Sequence, residues 1–326
     1  MVLEIAIVSG KGGVGKSTLA ASIAIILAQK GMNIIAVDAD AEAPNLHLVL
    51  GIERWDREES IFEGRIATID PNKCIKCGRC RDVCRFNAIE YVDNQYVVNR
   101  WICEGCMACA FVCPTKAIKP IYRVKTGTVR IAYRTIYGFP LISSSIPPGR
   151  PNSGKLVLEA KNRARELVKE KDHIIIVDAA AGIGCQVISS LSGADLAIIV
   201  TEPTPASFSD FKRIHRLTKH FGIPAALVLN KYDLNIELSK EIEKYAIQNK
   251  IYILGRIPYD DLVPRSLTMM KPLILCYPNT KATKAILDIG QKLYEVIVNW
   301  SKWVEEYRPL RPEPLIPIII KPEEST

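Results

Sequence analysis

The 326-residue sequence has no run of about 18 apolar residues, so no membrane-spanning helix is expected. Its opening, MVLEIAIVSG, lacks the basic start and small-residue cleavage site of a secretory signal, and a cytoplasmic location is expected. Histidine is scarce. The four present (His47, His173, His215, His220) share no metal-ligand spacing, and none is given a role. Aromatic residues are only 7 %, and the four tryptophans form no base-stacking array. Lysine and arginine are scattered, with no block of five or six like charges, so nucleic-acid binding is not expected despite a net charge of +8. A basic balance also suits an anionic surface or an acidic protein, so bulk charge alone decides nothing.

What is present is ordinary in bulk. Apolar residues make up 48 % and charged residues 24 %, enough for a large core. The length fits one large domain and a small one. Residues 3–8 and 33–38 read as buried strands flanking a helix over 17–30 that Gly31 closes. After about residue 145 the rhythm resumes. Helices are expected near 154–171, 184–192, 205–221, 235–248 and 281–305. Strands are expected at 173–178, 195–201, 223–229 and 251–254. This is an α/β fold, a doubly wound parallel sheet. Between the two stretches lie cysteine clusters, a hairpin turning at Asp93-Asn94 and an alternating β-rich run over 121–142. A Pro/Gly-rich loop follows at 147–154. The expected division is 1–60 with 121–307 as the α/β domain, 61–120 as an insertion, and 308–326 as a proline-rich tail.

Gly10-Lys11-Gly12-Gly13-Val14-Gly15-Lys16-Ser17 fits G-x-x-x-x-G-K-[ST] between a strand and a helix, with Thr18 opening the helix. Glycines there let backbone N–H groups point inward at phosphate oxygens, and the helix N-terminus adds its positive dipole end. Lys16 would reach the β/γ-phosphates and Ser17 would ligate Mg²⁺. Asp38 and Asp40 end the second strand and follow it, where a carboxylate holds Mg²⁺ or orients the attacking water; capping the next turn is the alternative for Asp38. Asp178 closes an apolar strand, a Walker B arrangement. Asn230-Lys231-Tyr232-Asp233 fits N-K-x-D, a guanine-reading pattern when taken alone.

The loop, with its additional Lys11, resembles the deviant-Walker family of MinD, ParA and the nitrogenase iron protein. That resemblance implies a homodimer sandwiching MgATP, with Lys11 reaching the partner's phosphates. It makes Asp40 the switch I aspartate, and it assigns Asn230 and Pro258, in GRIPYDD, to adenine rather than guanine. Alanines 179–181 stand where relatives carry proline or a small polar residue.

Cysteine departs from ordinary usage. Eight of ten fall between 74 and 113. Disulfides are disfavoured in a reducing compartment, which raises a metal or redox role. Cys74-x2-Cys77-x2-Cys80-x3-Cys84 recurs 29 residues later as Cys103-x2-Cys106-x2-Cys109-x3-Cys113, an internal duplication. In such runs the fourth cysteine ligates the other cluster. One [4Fe–4S] cluster is therefore expected on Cys74, Cys77, Cys80 and Cys113, and a second on Cys103, Cys106, Cys109 and Cys84. Zinc is the rival for C-x-x-C pairs, but it gains nothing from two identical four-cysteine runs. The segment resembles bacterial two-cluster ferredoxins, although Arg85 replaces the proline after Cys84, with Phe86 expected to cover the cluster. Cys185 and Cys276 are read as small core residues, with a redox-sensitive neighbour of the nucleotide as the alternative for Cys185.

The whole resembles MinD-like ATPases containing a ferredoxin domain. Slow, partner-stimulated ATP hydrolysis is expected, and the combination of two modules in one chain points to its coupling to electron transfer; the basic balance over 71–120 points to an acidic protein as redox partner or cluster acceptor. An iron–sulfur cluster carrier is the alternative reading, and a positioning ATPase a more distant one.

Overall fold

The computed structural model describes residues 2–148, 153–168 and 172–309. Strand β1 (Val2–Ser9) places Leu3, Ile5 and Ile7 in one core and Ala6 and Val8 in another. A strand buried on both faces belongs at the centre of a helix-covered parallel sheet. Ten further strands follow: β2 (Asn33–Ala39), β3 (Arg57–Ile69), β4 (Ile89–Val92), β5 (Gln95–Val98), β6 (Ile118–Ala132), β7 (Leu141–Ser145), β8 (His173–Ala181), β9 (Leu196–Thr201), β10 (Ala225–Asn230) and β11 (Tyr252–Ile257). The main sheet runs β11-β10-β9-β1-β8-β2-β7-β6-β3. From β11 to β7 every pairing is parallel. The parallel sheet expected from sequence is thus present, but β6 and β3 extend it antiparallel at one edge.

The helices are α1 (Lys16–Gln29), α2 (Leu46–Val49), α3 (Arg79–Asp82), α4 (Ala108–Phe111), α5 (Ser153–Glu166), α6 (Cys185–Leu191) and α7 (Pro205–Phe221). Then come α8 (Ile236–Gln248), α9 (Leu262–Thr268), α10 (Leu273–Cys276), α11 (Lys281–Val298) and α12 (Trp300–Tyr307). Leu19 and Ile23 of α1 pack with Ile286 and Leu293 of α11 on one face of the sheet. Leu156, Val187, Phe211 and Ile242, from α5 to α8, cover the other. Glu4 of β1 points into this second layer. It meets the fully buried Lys161 at 2.6 Å and Arg165 at 2.7 Å. The Lys161 ammonium also donates to the carbonyls of Ser189, Ser190 and Ser192, capping the end of α6.

The single helix expected over 281–305 is two. Asn299 interrupts it, its amide donating to the Glu295 carbonyl at 2.9 Å. The break lets Trp303 stack on Tyr307 and reach Tyr252 in the core. The tail expected over 308–326 and the loop over 147–154 fall largely outside the described residues, at 310–326 and 149–152, as does the expected helix end at 169–171.

β3 and β6 pair along nearly their whole length, from Arg57↔Ile131 to Ile69↔Ile118. This ribbon crosses residues 60 and 120, with one register shift between Ile61 and Phe62, and carries the cysteine segment at its far end. The hairpin β4–β5 turns at Asp93-Asn94, both left-handed (φ 47° and 61°) as a type I′ turn requires. The 29-residue repeat is written into the backbone. Left-handed residues recur in step: Lys76 with Gly105, Gly78 with Met107, and Asn87 with Lys116.

Candidate functional site

β1 delivers the chain to Ser9 and α1 takes over at Lys16, so the glycine-rich loop sits at the carboxyl edge of the sheet, where open α/β sheets bind ligands. Gly13 (φ +76°) and Gly15 (φ +93°) adopt the left-handed conformation that turns successive amides inward. Val14 is buried and roots the loop in the first core, and Thr18 is buried at the start of α1. Gly10 packs on α7 so closely that a Cβ would lie 2.1 Å from that of Asp210. The loop is open beside Gly12, where a Cβ would meet nothing within 4 Å.

The Lys16 ammonium donates to the Ser9 hydroxyl at 2.9 Å, and that hydroxyl donates to the Lys11 carbonyl. Burial pulls the Lys16 pKa down, while Asp178 and Asp40 pull it up. Asp178 lies at the end of the apolar part of β8, beside β1. Burial pushes its carboxyl up to about 6 against the opposing pull of Lys16 and a hydrogen bond from Ser17. Its Oδ1 is buried and has no hydrogen-bond partner among the described residues. A carboxylate oxygen left bare beside a hydroxyl and a lysine fits a cation site for Mg²⁺. Asp40 stands within the field of Lys16; burial raises its pKa, and its Oδ1 accepts from Ala43 N. Asp38 is different. It is completely buried and accepts from Asp40 N and Leu46 N, so it holds the chain leaving β2, which is the turn-capping alternative. Burial, with Asp178 nearby, keeps its pKa well above the usual carboxylate range. Gln186 of α6 accepts from Ala41 N, linking the segments after β2 and β8.

Asn230, expected to meet the base, also has a partner within the chain. Its Nδ2 donates to the Val14 carbonyl at 2.8 Å, bracing the loop from β10. Lys231, left-handed at φ 52°, turns back so that its ammonium lies 3.5 Å from the Gly13 carbonyl. Asp233 accepts from Tyr259 N at 2.7 Å and fastens the half-buried Pro258 segment to this corner. One residue escaped the sequence reading. Glu202 immediately follows β9 and contacts Lys11 at 3.0 Å and Lys231 at 3.1 Å. The only sequence signal was an acid directly after an apolar strand.

The cysteines surround two cavities. Cys74, Cys77, Cys80 and Cys113 line one, together with Ile69, Ile75 and Tyr96. Cys84, Cys103, Cys106 and Cys109 line the other, with Phe86, Met107 and Val98. Among the described residues no three His, Cys, Asp or Glu side chains gather into a group that holds a single metal ion. The cysteines are instead distributed around the lining of each cavity. The fourth cysteine of each run accepts a backbone hydrogen bond in the same way: Ala88 N to Cys84 Sγ and Ala117 N to Cys113 Sγ, both 3.3 Å. Ala67 N donates to Cys103 Sγ at 3.5 Å. Amides aimed at sulfur suit thiolate ligands, so the donor set fits an iron–sulfur group. Cys185 is exposed, contrary to the core reading, because it opens α6 at the surface, and Cys276 is only half-buried.

The profile of the CobQ/CobB/MinD/ParA nucleotide binding domain matches residues 5–273. An uncharacterized protein of Methanocaldococcus jannaschii is 35 % identical, over 91 % of this chain and 98 % of its own. The iron-sulfur cluster carrier protein of Pyrococcus furiosus is 24 % identical, over 89 % of this chain and 85 % of its own. Among solved structures, the septum site-determining protein MinD of Pyrococcus horikoshii with Mg-ADP superposes with a TM-score of 0.56. It is 19 % identical and covers 91 % of this chain and 98 % of its own.

Proposed function

The chain belongs to the CobQ/CobB/MinD/ParA nucleotide-binding family, and on that footing we propose that it is a dimeric ATPase that couples MgATP to electron transfer through two [4Fe–4S] clusters. In this reading 1–60 and 121–307 form the ATPase. The 61–120 insertion is ferredoxin-like, with its cysteines at the tip of the β3–β6 ribbon.

The loop amides of residues 10–17 cradle the phosphates, and Lys16 exchanges Ser9 for a phosphate oxygen. Ser17 and Asp178, whose Oδ1 is bare, would hold Mg²⁺, which would neutralise phosphate charge. Asp40 orients the attacking water, while Asp38 fixes the segment that carries Asp40. Lys11, at the rim, reaches the partner subunit's nucleotide. Asn230 and the Pro258 segment receive adenine. The two cysteine sets would hold the clusters, which would supply one-electron redox chemistry.

The observation that carries the coupling is the strand pairing that joins Asp38 to β6, the strand leading out of the cysteine segment. Asp38 of β2 pairs with Ser143 of β7, whose neighbour Ser144 donates to the Asp38 carbonyl. β7 pairs with β6, and β6 begins five residues after Cys113. Movement of the Asp38–Ala41 segment on hydrolysis has a path through this pairing and along β6 to the first cavity. The segment over 71–120 carries eight Lys and Arg against four Asp and Glu, which supports an acidic protein as redox partner.

The second reading is a cluster carrier, favoured by similarity to the Pyrococcus carrier. Four cysteines per cavity, one of each set buried, favour retention over donation. An anaerobic redox titration followed by EPR, with and without MgATP, separates them. Two cluster signals whose potentials shift with MgATP support electron transfer. Two clusters indifferent to MgATP that pass to an apo-ferredoxin support the carrier.

A further inference from the structure

Three lysines crowd the phosphate loop, and two of them already have an anion. Glu202 is only 10 % exposed, and its two oxygens are divided between Lys11 and Lys231. Burial works against charge on this carboxyl, but the hydrogen bonds from Lys11 and Lys231 outweigh it and hold its pKa below the usual range. The pairing is fixed from three sides. β9 sits between β1 and β10, so the residue following it falls between the loop and Lys231. Asn230 accepts from Lys231 N while gripping Val14, and the left-handed backbone at Lys231 aims the ammonium over Gly13. Lys11 is nearly half exposed and projects from the open side of the loop.

We propose that Glu202 is an internal counter-anion that occupies Lys11 and Lys231 until nucleotide phosphate replaces it, and that Lys231 is a nucleotide-contacting residue. The inference rests on the reading that this loop binds MgATP. Triphosphate competes with the carboxylate for both ammonium groups, the subunit's own nucleotide for Lys231 and the partner subunit's for Lys11. Glu202 then becomes a buried acid without partners, an unfavourable arrangement that drives the side chain outward. It is joined to α7 through Pro203 and the N-cap Thr204, whose hydroxyl accepts from Ser207 N. Gly10 packs on Asp210 of the same helix, so the loop and the start of α7 respond together. Exchange of partners at Glu202 thus signals occupancy to α7 and frees Lys11 to leave its own subunit.

The test is binding of MgATPγS by calorimetry to the full chain, comparing wild type with Glu202→Gln, Lys231→Met and the double variant. Glu202→Gln keeps the shape and removes the competing charge, so its dissociation constant falls about tenfold. Lys231→Met weakens binding, and the double variant shows coupling between the two positions. If wild type binds and Glu202→Gln binds no tighter or more weakly, the inference is overturned and Glu202 is a structural brace. If wild type does not bind at all, the nucleotide reading itself fails. Circular dichroism of each variant checks folding. Should Glu202→Gln misfold, Lys231→Met decides alone: unchanged affinity overturns the proposal.

Discussion

The side-chain amide of Asn230 lies 2.6 Å from where a Cβ on Gly15 would stand, so β10 and the phosphate loop leave each other no spare room. That contact and the left-handed φ of +93° make Gly15 doubly constrained. Gly15→Ala is expected to weaken MgATP binding by about tenfold or more, since such backbone strain alone is worth about 1–3 kcal/mol. Adding Asn230→Ala relieves the contact but not the dihedral, so the double variant stays weak. Calorimetric titration checks both, and wild-type affinity in Gly15→Ala would count against the site.

Cross-ligation of the cysteines can be tested by pairing substitutions. Cys74 and Cys113 line the same cavity although they belong to different runs. The Cys74→Ser/Cys113→Ser protein is expected to keep one cluster, about four irons per chain. Ligation within each run would damage both clusters instead. Iron analysis with EPR of the anaerobically reconstituted protein distinguishes the outcomes.

Lys161→Met leaves Glu4 buried with Arg165 as its remaining cation and strips the caps from α6. Breaking one side of a buried pair costs about 3–5 kcal/mol. Denaturant unfolding should show a lower midpoint with an unchanged slope. Glu4→Gln in the same chain should recover part of the loss.

His215 supplies a pH dependence unconnected with the nucleotide. Burial, then the charge of Lys219, lowers its pKa to about 4 from the usual 6.5. The unfolded chain therefore binds the proton first, and stability falls as pH drops from about 6.5 to about 4. The full effect is on the order of 3 kcal/mol. His215→Gln should flatten the slope of unfolding free energy over this window. An unchanged slope would place the acid sensitivity elsewhere.

Local chemistry alone determined much of this protein. Residues 10–17, the apolar strands ending in Asp38 and Asp178, and the 29-residue cysteine repeat were readable because phosphate loops, buried strands and cluster runs depend on neighbours in sequence. The Asp93-Asn94 turn was equally plain, since few other residues accept two left-handed positions in succession. Other features depended on residues far apart in the chain. Glu202 gained meaning only when β9 was set between β1 and β10, bringing it to Lys11, 191 positions away. Asp38 looked like a site carboxylate until burial gave both its oxygens to backbone amides. Asn230 acquired its brace on Val14, and Lys161 its place beneath Glu4, in the same way. Sequence spacing fixes what a segment can do, whereas a buried charge takes its role from the partners that packing supplies.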